Sequence, residues 1–95
     1  MVIESLVITL KKDGIEPAVK ILEHYKNFKL SLQGCINAYY AQSQINPQCF
    51  LVHAEFSGQE SYENYRKKVN EIIKGKMPLA EYFEKPPVMG VYTVK

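Results

Sequence analysis

Between Cys49 and Lys68 the sequence CFLVHAEFSGQESYENYRKK changes its hydrophobic period once, and that change constrains the fold more than any other stretch. Phe50, Val52, Ala54 and Phe56 share one face of a period-2 element, with Leu51, His53 and Glu55 on the other, which is strand alternation. Beyond Ser57, Tyr62, Tyr65, Val69 and Ile72 recur at helical spacing. Ser57 is followed three residues later by Glu60, the pattern of a capping box in which hydroxyl and carboxylate each satisfy an orphan N–H at a helix start. A strand that runs directly into a helix brings both ends to one joint. Residues on either side of Ser57 can therefore face a common space.

The rest of the chain supplies partners for this pair. Residues 2–10 alternate with apolar side chains on both faces: Val2, Leu6, Ile8 and Leu10 on one, Ile3 and Val7 on the other, with Glu4, Ser5 and Thr9 interspersed. A strand of that kind is covered from both sides. Asp13-Gly14 makes a turn, and Pro17, whose missing N–H is no loss in a first helical turn, opens a helix with Glu16 at its positive end. Ala18, Ile21, Leu22, Tyr25, Phe28 and Leu32 form its buried stripe, and Gly34 is expected to close it. Residues 35–44 read as a second strand, with Tyr39 and Tyr40 on opposite faces, and Asn46-Pro47 as a hairpin turn. The second helix is expected to reach about Lys74, with Gly75 stopping it; residues 78–83 suit a short helical piece and 88–94 a last strand.

The order β-α-β-β-α-β is that of an α+β, ferredoxin-like split βαβ: a single domain over residues 1–95 with a four-stranded antiparallel sheet and both helices on one face. Two helices cover one face only. Because the first strand is apolar on both, the second face is expected to be buried against an identical sheet, making a homodimer.

Composition narrows the function classes. Twelve basic residues against ten acidic give a formal charge of +2, and Arg66 is the sole arginine. Lysines scattered among glutamates lack the forked guanidinium stripe of a nucleic-acid reader, and Lys11–Lys12 and Arg66–Lys68 read as solvated faces. No segment approaches the roughly 18 consecutive apolar residues of a membrane span. With Glu4 inside the first apolar run and no basic leader, the N-terminus reads as a strand, and a cytoplasmic location is expected. Cys35 and Cys49 stand at different ends of the expected hairpin and read as free thiols. His24 and His53 are too few and too separated for a metal site.

The run QGCINAYYAQSQINPQCFLVHAEFSGQESYENY resembles the antibiotic biosynthesis monooxygenase family of dimeric α/β barrels, with Gly34, Phe56, Ser57 and Tyr62 at the family's helix end, strand end, helix cap and first helical turn. The resemblance implies homodimers whose sheets close into a barrel, an apolar cavity between sheet and helices, and a cofactor-independent monooxygenase chemistry on small aromatic or quinone-like compounds. The alternative it implies is a non-catalytic dimeric binding or structural module of the same fold. Phe56 stands where the third strand of such oxygenases presents a Trp, and this chain has none. Phe can shape a cavity but donates no hydrogen bond. On this resemblance Phe56, Tyr62, Val52 and Tyr39 are expected to bind an apolar aromatic ligand, no cofactor is expected, and Tyr62 is favoured by its place beside the end of the third strand.

His53 is the one ring nitrogen on the central strand, with an ordinary pKa of about 6.5 that suits a proton acceptor at neutral pH, so it is the candidate catalytic base. Its odd separation from Phe56 sets the two on opposite strand faces, and Glu55, two residues away, is its natural hydrogen-bond partner.

Overall fold

The computed structural model describes residues 1–75 and 79–95, the side chains of residues 72–75 excepted. Strand β1 (Val2–Thr9) leads through a 3-10 turn at Lys12–Gly14 into helix α1 (Ile15–Leu30). The hairpin β2 (Cys35–Gln42) and β3 (Cys49–Phe56) follows, then helix α2 (Gln59–Gly75), a second 3-10 turn at Leu79–Tyr82 and strand β4 (Val88–Thr93). Pro78, expected to open that short helical piece, lies outside the described residues, as does the side chain of Ile72. Among the described residues no helix is long and apolar enough to cross a membrane.

The sheet has the order β2-β3-β1-β4 and is antiparallel throughout, the ferredoxin-like arrangement expected from the element order. Strands β3 and β1 take the centre, where both edges are hydrogen-bonded. Their register pairs Leu6 with Val52 and Glu4 with Ala54, so the even-numbered residues of both share a face. That face is the buried one: Val2, Ile8, Phe50, Val52, Ala54 and Phe56 all lie under the helices.

Burial beneath the helices is split into two apolar clusters. Val2, Ala54 and Phe56 pack with Tyr62, Tyr65 and Val69 of α2. Ile8, Leu10, Phe50 and Val52 pack with Ala18 and Leu22 of α1. The opposite face carries no helix, and Val7, Tyr39, Val88 and Tyr92 stand exposed on it, the last two at 70% and 59%.

Strands β1 and β4 each end one residue earlier than expected, and three further element ends differ for a local hydrogen-bonding reason. Helix α1 stops at Leu30 because Ser31 caps it, its N–H bonding Asn27 O at 3.1 Å and its hydroxyl donating to Phe28 O at 2.6 Å. Gly34 then turns the chain at φ +90°, a conformation that favours glycine. Strand β2 ends at Gln42 because the Ser43 hydroxyl accepts the N–H groups of Ile45 and Asn46, both at 3.1 Å, and diverts the backbone into a turn. At the start of α2 the cap is displaced by one residue. The Ser61 hydroxyl, not Glu60, reaches back to accept the Gly58 N–H at 3.2 Å, while Ser57 Oγ lies 3.2 Å from Ser61 Oγ.

Both cysteines are free, as their strand positions imply: Cys35 pairs with Phe56 across the sheet while Cys49 sits at the far end of β3.

Candidate functional site

Between the two apolar clusters lies a cavity of about 270 Å³ under the helices. Leu6 and Val52 floor it, Leu22, Tyr65 and Val69 wall it, and Phe83 and Met89 close one side. A cavity of about 150 Å³ lined by aliphatic groups accommodates benzene, so this one has room for one or two fused rings.

Three charged side chains also reach it: Glu4 from β1, Lys29 from α1 and Arg66 from α2. Strand alternation puts Glu4 there, because it lies between Val2 and Leu6 on the face the helices cover. Only 6% exposed, its carboxylate needs donors to offset the loss of water. Tyr62 supplies the principal one, its hydroxyl donating to Glu4 Oε2 at 2.8 Å. The Arg66 guanidinium lies 3.5 Å from the same oxygen. Tyr62 and Arg66 are four apart on α2 and so project from one helix face.

Burial raises the Tyr62 phenol to about 12, and the hydrogen bond to Glu4 and its charge add to the effect. Burial likewise pushes Tyr65 up, helped by the Glu4 charge. Lys29 is pushed down by burial, against which Glu4 acts to keep it charged. Its ammonium lies 5.8 Å from the centre of the Tyr65 ring.

The sequence-derived candidates divide between the two sheet faces. Val52 lines the cavity. Tyr62 stands behind Glu4 and holds its carboxylate, and Phe56 lies deeper still, fully buried, edge-on to Tyr62 at 5.5 Å and stacked on Tyr65 at 5.0 Å. Tyr39 and His53 lie on the other face, stacked on one another with centroids 4.8 Å apart, and His53 Nε2 is 3.0 Å from Glu55 Oε2. Neither reaches the cavity.

Glu4, Lys29 and Arg66 were not legible as a site. Glu4 carried a signal, an acid at an even position of a strand whose other even positions are apolar. Lys29 lies one residue from Phe28 and three from Leu32, so the apolar stripe runs past it. Arg66 belongs to a charge run read as solvated; Lys67 and Lys68 are indeed exposed, whereas Arg66 turns toward Glu4.

A wider groove of about 740 Å³ runs over the start of α2, bordered by Gln33, Ser57, Glu60 and Lys67. It is shallow, polar and open to water, and nothing buried points into it. Among the described residues no three His, Cys, Asp or Glu side chains are grouped to hold a metal.

No family model and no curated protein matches the sequence. Solved structures do match in three dimensions. The "putative antibiotic biosynthesis monooxygenase" from Nitrosomonas europaea superposes with a TM-score of 0.86 at 13% identity, over 99% of this chain and 98% of that one. The chain has an antibiotic-biosynthesis-monooxygenase-like fold. A conserved protein from Methanosarcina mazei matches with a TM-score of 0.86 at 18% identity, over 100% of this chain and 94% of that one. SnoaB from Streptomyces nogalater, a cofactor-independent oxygenase, matches in a mutant form with a TM-score of 0.84 at 8% identity, over 99% and 92% of the two chains. At these identities the likeness is one of fold.

Proposed function

We propose that this monooxygenase-like fold binds a small aromatic or quinone-like compound in the cavity between sheet and helices, and converts it with dioxygen without a cofactor. The observation that carries this is a carboxylate held inside an apolar, ring-sized cavity. Among its described lining residues Glu4 is the only acid, and no histidine is present. A cofactor-free oxygenation begins when a base takes a proton from the substrate and leaves a carbanion for dioxygen to attack. Glu4 is placed to be that base, with Tyr62 and Arg66 fixing its orientation and Val52 under the ring. Phe56 backs Tyr62 as packing. The fold shared with SnoaB, a cofactor-independent oxygenase, supports the class of chemistry by analogy.

The working unit is a homodimer in this proposal, because Val7, Tyr39, Val88 and Tyr92 leave the open sheet face apolar. Tyr39 and His53 then lie in the seam between sheets, where His53 serves a ligand only if one enters the barrel. A cytoplasmic site of action fits the same picture.

One feature favours the second function, a binding module: Glu4 Oε2 already accepts the Tyr62 hydroxyl and faces Arg66, so this oxygen is engaged before any ligand arrives. Calorimetry and oxygen uptake with one- and two-ring phenols and hydroquinones decide. Saturable binding with oxygen consumption abolished in Glu4→Gln supports the enzyme, binding without consumption supports the module, and binding unaffected by filling the cavity with Val52→Trp sinks both.

A further inference from the structure

Lys29 has no acceptor of its own. It is 5% exposed on the buried side of α1 and lines the cavity. Among the described residues no hydrogen bond or ion pair reaches Nζ, which lies over the face of the Tyr65 ring at 5.8 Å. A ring face compensates a cation far less than an anionic oxygen does. No fully buried side-chain nitrogen among the described residues lacks a partner, so Nζ itself stays accessible, where solvent or a ligand oxygen can meet it.

Glu4 does not discharge the debt. Its carboxylate is engaged by Tyr62 and Arg66, so the described lining holds two cations, Lys29 and Arg66, against one anion. The surplus is a single positive charge. Among the remaining described walls the Tyr25 and Tyr65 hydroxyls are the polar groups, and the rest, Leu6, Leu22, Val52 and Met89 among them, are apolar.

Resting on the cavity reading given above, we propose that the ligand is a flat aromatic monoanion, whose anionic oxygen, carboxylate or phenolate, is received by Lys29 Nζ while its ring lies over Val52. Such a ligand completes the charge balance, supplies the acceptor that Lys29 lacks, and leaves Glu4 in its existing bonds. A neutral ring of the same shape fills the space but leaves the ammonium unpaired. Charge, and not size, is then the main selector.

Calorimetry at neutral pH with 2-naphthoate and 2-naphthamide tests this, since the two differ in little but charge. The wild-type protein is expected to bind the naphthoate at least about tenfold more tightly, equivalent to about 1.4 kcal/mol. Lys29→Met, which keeps the apolar stem, is expected to bind both alike, and Lys29→Arg to keep the preference. Arg66→Gln, which removes the surplus charge but not the ammonium, is expected to weaken the preference less than Lys29→Met does, which separates Lys29 from a general positive field. Circular dichroism of each variant verifies the fold, and the wild-type comparison stands without any variant. Equal binding of the two ligands, both blocked by Val52→Trp, overturns the anion proposal and leaves the cavity reading intact. Binding of neither overturns both.

Discussion

The Tyr62 hydroxyl donates to Glu4 Oε2 at 2.8 Å, joining residues 58 apart in sequence and tying the first strand to the second helix. This bond is what makes a buried carboxylate tolerable, and it leaves Tyr62 less free to meet a ligand than a strand-end tyrosine would be. Tyr62→Phe removes the donor while keeping the ring packed edge-on to Phe56 and tilted to Tyr65. The expected loss is about 1–3 kcal/mol in urea unfolding at neutral pH, because a buried charge loses a partner and nothing replaces it. In a Glu4→Leu background the same change should cost far less. An equal cost in both backgrounds would mean that the ring, and not the hydrogen bond, carries the effect.

The same bond predicts an alkaline stability profile. Tyr62 is raised to about 12 in the folded protein, above the ordinary value of about 10, so the folded state holds its proton where the unfolded state has released it. The contribution is fully present below about pH 10 and is lost as pH rises through about 12. Urea midpoints of the wild type should therefore fall more steeply over that window than those of Tyr62→Phe. Parallel profiles would remove Tyr62 as the cause.

Much of this architecture is legible in the sequence because strand alternation is unforgiving: once Phe50, Val52, Ala54 and Phe56 share a face, β3 can be buried on one side only. The same rule sends His53 to the face away from the helices, where it stacks on Tyr39. The site was harder to read because it is made of exceptions to apolar patterns, Glu4 in a strand and Lys29 beside a helical stripe. Each resembles an ordinary charged residue until its neighbours in space are known. Tyr62 was legible by position, but its task of holding Glu4 depends on a contact between opposite ends of the chain.

Gly34 provides a test of the joint between α1 and β2. Its φ is +90°, and a Cβ added there runs into the Ser61 side chain at the start of α2, close to Ser57 Oγ. The Ser57 N–H donates to the Gly34 carbonyl at 2.7 Å, so the turn cannot simply move aside. Gly34→Ala should destabilise the protein by about 1–3 kcal/mol in urea unfolding, from backbone strain alone and more with the clash. Gly58→Ala is the control, since a Cβ at Gly58 meets nothing within 4 Å.

The open sheet face gives the prediction about assembly. Val7 is 42% exposed at the centre of that face, between Leu51 of β3 and Val88 of β4. A second copy packed there would bury it, and Val7→Lys would place an unpaired charge in the seam. Sedimentation equilibrium at micromolar concentration should show a dimer for the wild type and a monomer of lower stability for Val7→Lys. A wild-type monomer with a folded circular-dichroism spectrum removes the barrel.

Glu4→Gln separates the two functions most sharply, because the charge proposal and the base proposal move its observables in opposite directions. The amide oxygen can still accept the Tyr62 hydroxyl, so the joint between β1 and α2 is kept. Removing the one negative charge of the described lining leaves Lys29 and Arg66 unopposed, and an aromatic anion should bind more tightly by severalfold. An amide cannot take a proton at neutral pH, so if Glu4 is the base, oxygen uptake should fall by about 10²-fold or more despite the tighter binding. Tighter binding with lost turnover identifies a catalytic carboxylate, whereas tighter binding with no turnover in either form identifies a receptor for aromatic anions. If turnover survives in Glu4→Gln and is lost in His53→Ala at unchanged affinity, proton transfer belongs to the other face of the sheet, and the reacting ligand lies between the two sheets of the dimer.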